Sequence, residues 1–169
     1  QKALEFFTKG SEQGETECIY TLGCLYEQNN EIGINKEESA KYYKISADKG
    51  HVKSMYNYGV LLEQGEGIKQ DTSEALKYFE LAADNNHPKA FFKCGFYYLN
   101  GISVPQDKDK ANNFFEKGAE LDDILCIKAL LFLLKEKDST SIDYSKMEEY
   151  LREAADEEHI DDIYNYGVL

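Results

Sequence analysis

A ruler of 36 residues runs through this chain, and it constrains the fold more than any other feature. Gly23, Gly59, Gly95 and Gly167 are separated by multiples of 36, with Leu131 on the missing mark. His51, His87 and His159 keep the same spacing, with Glu15 before them and Asp123 in the gap. Tandem pairs follow suit: Phe6-Phe7, Tyr42-Tyr43, Tyr78-Phe79, Phe114-Phe115 and Tyr150-Leu151. After each comes a small pair: Gly10-Ser11, Ser46-Ala47, Ala82-Ala83, Gly118-Ala119 and Ala154-Ala155. Self-similarity at a fixed period of this length marks a stacked repeat, because one unit cannot bury its apolar face alone.

Each unit reads as two helices. In the segment His51 to Asn86 the first helix spans about Val52 to Gln64, followed by the loop Gly65 to Gln70. Asp71, Thr72 or Ser73 caps the second helix, which runs to about Asn85. Gly65 and Gly67 supply the positive φ that ends a helix, and Pro88 starts one, where its missing N–H costs nothing. The equivalent loop in the next unit is Gly101 to Asp107. No segment alternates apolar and polar residues as a strand does.

Helical spacing gives the first helix three faces. Met55, Gly59 and Leu62, like Ile19/Gly23/Tyr26 and Phe91/Gly95/Tyr98, form a stripe expected to pack on the second helix of the same unit. Glycine there lets two helices approach closely. Tyr58 and Leu61 are expected to face a neighbouring unit. The third face has no evident internal partner. Its central position reads Tyr20, Tyr56, Phe92, Lys128 and Tyr164. One turn on come Cys24, Val60, Phe96, Phe132 and Val168, and one further turn Glu27, Glu63, Leu99 and Lys135.

This unit resembles the Sel-one-like repeat (SLR), a relative of the tetratricopeptide repeat. The resemblance lies in Ser54 or Ala90 at the small position, Tyr58-Gly59 and Leu22-Gly23, and Tyr26 or Tyr98 three residues on. It continues in the turn Gly65-Glu66-Gly67-Ile68 with Asp71, in the stretch Ser73 to Ala83, and in His87 with Ala90. The resemblance implies an all-α fold, a right-handed α-α superhelix or solenoid of antiparallel helix pairs. The whole chain, 1–169, then reads as one SLR solenoid fragment. Residues 1–14 form the second helix of a preceding repeat, and 15–50, 51–86 and 87–122 are full repeats. Residues 123–158 are a degenerate repeat and 159–169 the first helix of a following one. Departures are local. The first full unit has Asn29-Asn30-Glu31 for Gly-x-Gly. The fourth has Leu131 for Gly, Lys137-Asp138-Ser139 in its loop and Met147 for Ala. Neither end reads as a polar cap and no Met begins the chain, so a longer natural array is expected.

Charge narrows the partners. Asp and Glu total 32 against 19 Lys and Arg, and Arg152 is the one arginine, so nucleic acid is excluded as a first choice. No apolar run approaches a membrane span. The start, Gln1 to Phe7, carries a Glu within its apolar run and no small-residue cleavage site, unlike a signal peptide. Cys18, Cys24, Cys94 and Cys126 contain no CxxC and read as free buried thiols. Together these features point to the cytoplasm, or to the secretory lumen where a leader precedes the fragment.

The chemical candidates are weaker than the packing ones. Histidines one repeat apart should lie roughly 10 Å from each other, too far to share a metal whose Zn–N bonds are about 2 Å. They read as structural groups at helix starts. Ser46-Ala47-Asp48-Lys49 fits the Ser-x-x-Lys pattern that the β-lactamase label on some bacterial SLR proteins would require. It lies in a repeated helix, where packing accounts for it. Asp107 to Ala111 lacks the third ligand and the glycine of a calcium loop. Gly65-Glu66-Gly67 lacks the Lys of a phosphate loop. No catalytic residue, cofactor or metal is expected.

The third face is the better candidate. In tetratricopeptide-like solenoids this side of the first helix lines the concave groove, so the resemblance implies a peptide- or protein-binding ladder at Tyr20, Cys24, Glu27, Tyr56, Val60, Glu63, Phe92, Phe96, Leu99, Lys128, Phe132, Lys135 and Tyr164. The competing reading buries these rings between neighbouring first helices. Charge along the ladder shifts from Glu17, Glu27 and Glu63 to Lys89, Lys128 and Lys135, which either orients a ligand or forms a solvated rim. The expected function is a non-enzymatic interaction scaffold or adaptor for a protein or peptide, with no membrane insertion. The alternatives are a β-lactamase-like hydrolase, and a spacer or regulatory arm of a larger protein that self-associates end to end through uncapped repeats.

Overall fold

The computed structural model describes residues 2–28 and 33–136. Among the described residues there are eight α-helices and no strand. They are α1 (Lys2–Glu12), α2 (Thr16–Glu27), α3 (Lys36–Asp48), α4 (Val52–Gln64), α5 (Thr72–Asp84), α6 (Pro88–Asn100), α7 (Lys108–Ala119) and α8 (Ile124–Glu136). The second helix of the degenerate repeat and the final first helix lie outside the described residues.

The helices pack in sequence as pairs, α2 on α3, α4 on α5 and α6 on α7. Each pair is one repeat, and its helices run antiparallel. The Leu62 carbonyl near the end of α4 accepts the Asp71 N–H at the head of α5 at 3.0 Å, while Tyr56, early in α4, meets Phe79, late in α5, at 5.8 Å. The chain divides into two compact units. One holds Gln1–His87 with Ile102–Val104, and the other holds Pro88–Gly101 with Pro105–Leu169. Within the first unit α3 also packs on α4, and within the second α6 touches α8.

The glycine of the ruler sits where the paired helices meet. Gly23 lies against the Tyr43 ring, Gly59 against Phe79 and Gly95 against Phe115, as the glycine stripe predicts. These three rings are fully buried or nearly so. The glycines three residues after Phe7 and Phe115 sit at the joint with the next helix: Gly10 abuts Cys18 of α2, and Gly118 abuts Cys126 of α8. Tyr58 looks both ways: Lys44 and Asp48 on α3 of the preceding repeat lie within electrostatic reach of its hydroxyl. Its ring stands edge-on to Tyr78 of its own unit at 4.8 Å, because a tyrosine one residue from Gly59 is long enough to reach the first aromatic of the tandem pair. Tyr78 in turn donates to Asp48 of α3 at 3.2 Å, which ties the preceding repeat into the same seam.

Caps repeat on the ruler as well. Asn35, Asp71 and Asp107 accept the backbone N–H of Glu38, Glu74 and Lys110 at 3.1, 2.9 and 2.8 Å, satisfying N–H groups that a helix start leaves orphaned. His51 does the same for α4 through Nδ1, which accepts the Ser54 N–H at 3.2 Å. Asp123 replaces histidine ahead of α8, and its carboxylate accepts the Cys126 N–H at 3.0 Å. The ruler tolerates Asp for His because either group presents an acceptor to the same amide.

Four residues on one mark, Gly14, Gly50, Asn86 and Asp122, have φ of 82°, 90°, 59° and 57°. After each, the next residue's N–H bonds back to the start of the last helical turn, as His87 does to the Ala82 carbonyl at 3.0 Å. Two of the four marks therefore hold a side chain in the left-handed region. Asn86→Gly should raise stability by about 0.5 kcal/mol, and Asn86→Ala should lower it by about 1 kcal/mol. Thermal denaturation reads both, and a stabilising alanine would contradict the geometry.

Candidate functional site

The candidate face comprises the first-helix positions Tyr20, Tyr56, Phe92 and Lys128 with the residues one and two turns further on, and it borders the buried rings of the paired second helices. In the first unit it falls on α2 and α4. Tyr20 lies with its ring 4.5 Å from His51 and 5.9 Å from Tyr43. Tyr56 stacks on His87 at 4.6 Å and meets Phe79 at 5.8 Å. Each tyrosine is thus held between the buried ring of its own repeat and the histidine that opens the next. Both are half-buried. His51 also reaches back to Glu17 of α2, Nε2 to carboxylate at 3.1 Å.

Below Tyr20 the polar groups are already engaged with one another. The Tyr43 hydroxyl donates to Glu27 at 2.7 Å and also meets Cys24 Sγ at 3.3 Å. The other oxygen of Glu27 pairs with Lys36 at 3.3 Å, and Lys36 reaches Glu66 of the next loop at 2.9 Å. Burial first, then Cys24 and Glu27, push the Tyr43 hydroxyl far above the ordinary phenol range. Burial and Cys24 push Tyr20 up to about 12. The Tyr43 hydroxyl thus remains the donor to the Glu27 carboxylate. This cluster holds α2, α3 and the α4–α5 loop together, so Cys24 and Glu27 serve the fold. Val60 and Glu63 are half-buried on α4, and the Glu63 carbonyl accepts the Gln70 amide at 2.8 Å.

In the second unit the face falls on α6 and α8. Phe92 lies 6.0 Å from the buried Phe115 and 6.3 Å from Phe96. Phe96 is 42% exposed and Phe132, on the same mark of α8, is 46% exposed. Lys128 and Leu99 are half-buried. The side chain of Lys135 and all of Tyr164 lie outside the described residues. The single ladder read from sequence thus takes two forms: rings and polar groups largely absorbed by packing on α2 and α4, exposed phenylalanines on α6 and α8. Sequence reasoning missed the histidine–tyrosine stack. Its signal was available in the constant separation of Tyr20 from His51 and Tyr56 from His87.

The chemical candidates resolve into structural parts. Ser46 is fully buried and its hydroxyl donates to the Thr16 carbonyl at 3.2 Å. Asp107 is the cap of α7. Burial, with Asp123 beside it, pushes the Cys126 thiol far up, away from a reactive thiolate. Among the described residues no group of three or more His, Cys, Asp or Glu side chains could hold a metal ion. No helix among them is long and apolar enough to cross a membrane.

Comparisons with known proteins agree with this geometry. The family model for the Sel1 repeat matches residues 1–15, 16–51, 52–87 and 88–123. A crystal structure of a protective antigen present in uropathogenic Escherichia coli strains, displaying an SLR fold, superposes with a TM-score of 0.84 at 25% identity, covering 96% of this chain. A Sel1 repeat protein from Oxalobacter formigenes gives 0.83 at 25% identity over 94% of this chain. Cysteine rich protein B of Helicobacter pylori gives 0.58 at 22% identity over 74% of this chain and 90% of its own, a likeness of fold alone. The chain spans 36% of the Escherichia coli antigen and 64% of the Oxalobacter protein. No curated protein sequence matches it significantly.

Proposed function

This chain belongs to the Sel1 repeat family, and from that premise we propose that it is a protein-interaction module whose first-helix face takes up a peptide or protein segment. Sel1 repeats generally serve as interaction scaffolds, and the fold is typically non-enzymatic. Stacked repeats suit that work, because equivalent positions recur along an extended surface. The observation that carries the reading is the exposure of large apolar side chains at one ruler position, Phe96 and Phe132. A folded protein leaves adjoining apolar surface uncovered at an energetic loss, and such patches mark partner sites. The four cysteines are free thiols, and we place the chain in a reducing compartment such as the cytoplasm.

A photo-crosslinking residue tests the face directly. Installed at Val60, Phe96 or Phe132 in cells that make the protein, it should yield adducts with other polypeptides. Installed at the exposed second-helix positions Lys77 or Asn113, it should yield few. Equal yields from both sets, or adducts from the second set alone, would remove the face assignment.

A further inference from the structure

We propose that the α6–α8 part of the first-helix face binds an acidic, apolar peptide segment, a short run of Phe- or Leu-type side chains flanked by Asp or Glu. This deepens the reading above and rests on it: it states which part of the face is used and by what chemistry.

Exposure gives the first argument. Phe96 and Phe132 occupy the same mark on two helices in contact, and Leu125, two turns before Phe132 on α8, is 43% exposed. The corresponding residues of α2 and α4, Cys24 and Val60, are half-buried. Covering apolar surface yields roughly 25 cal/mol per Å², so three such side chains reward a partner that brings its own.

Charge gives the second. The chain as a whole carries a net charge of -13, yet α6 has Lys89 and Lys93 with no Asp or Glu, and α8 has no acid before Glu136. Lys128 lies on the same stripe four residues before the exposed Phe132, and Lys89 lies three residues before the half-buried Phe92 and seven before the exposed Phe96. Their stems can lie along the apolar row while the ammonium groups meet anionic flanks. Glu17 and Glu27 on α2 have the opposite sign and are engaged by His51, Tyr43 and Lys36. A basic segment would meet like charge at α6, and a purely acidic one would leave the rings uncovered. An anionic membrane also combines negative charge with apolar depth, but the net charge of -13 opposes approach to such a surface.

The test selects displayed random dodecapeptides against the whole chain and then measures the winning sequences as fluorescent peptides. The winners should pair Phe or Leu with Asp or Glu. Their affinity should fall about tenfold on Phe96→Ser or Phe132→Ser, and at least about fivefold in the double variant Lys89→Glu/Lys128→Glu, with a steep salt dependence. Circular dichroism checks that each variant keeps its helices. Winners rich in Lys or Arg, winners indifferent to these variants, no winners at all, or binding to phosphatidylserine vesicles in place of peptides would each overturn the proposal. Winners weakened by Tyr56→Ala and not by Phe96→Ser would sink this assignment and leave the first-helix face standing. Winners weakened by neither would sink both.

Discussion

Gly67→Ala should destabilise the protein by about 3 kcal/mol, the largest loss expected from adding a single methyl group. Two costs combine at this position. Gly67 has a φ of 72°, in the left-handed region where an alanine costs roughly 1–2 kcal/mol. In addition, a Cβ here would run into the carbonyl carbon and oxygen of Lys36 and come within 2.6 Å of the Glu37 nitrogen. The obstacle is backbone at the head of α3, which cannot swing aside as a side-chain tip can. Relief would move the α4–α5 loop away from α3 and stretch the Lys36–Glu66 pair. Gly65 provides the control. Its φ is 71°, but an added Cβ would meet chiefly the Gln70 side chain at 3.0 Å. Gly65→Ala should therefore cost only the backbone strain, about 1 kcal/mol. Urea titration of both variants separates the two costs. Equal losses would show that the packing of Gly67 on Lys36 carries no weight.

Much of this architecture is legible in the sequence because it depends on spacing. Helix limits at Val52, Gln64 and Pro88 follow from glycine, proline and cap residues whose preferences are local. The contact of Gly59 with Phe79 follows from two positions recurring at a constant interval. Contacts set by side-chain reach are harder to read. The hydroxyl of Tyr43 needs an acceptor once its ring is buried, and Cys24 and Glu27 supply one. At the next two marks the ring is Phe79 or Phe115, without a hydroxyl, and the facing residues change to Val60 with Glu63 and then Phe96 with Leu99. The co-variation along the ruler was visible, but its meaning depended on where the Tyr43 hydroxyl ends. The histidines are a similar case. Spacing excluded a shared metal, but only coordinates show His51 capping α4, pairing with Glu17 and stacking on Tyr20 at once. The candidate face was the least legible part, because burial at Cys24 and exposure at Phe96 arise at equivalent positions.

Gly59→Ala should cost about 2 kcal/mol, although alanine in a helix interior is worth about 1 kcal/mol over glycine. The added Cβ would lie 2.7 Å from Cε1 and 2.9 Å from Cδ1 of Phe79, with the Ala75 carbonyl 3.3 Å behind. Phe79 is fully buried, so its ring has nowhere to retreat. If the ring is the whole obstacle, shortening it should reverse the sign. Phe79→Leu alone should cost about 1–2 kcal/mol by leaving a gap. In the double variant Gly59→Ala/Phe79→Leu the methyl fills that gap and the helix gains its propensity, so the loss should be smaller than the sum by about 2 kcal/mol. A double-mutant cycle by chemical denaturation measures the coupling. Strict additivity would mean that Gly59 is kept for some reason other than the Phe79 ring.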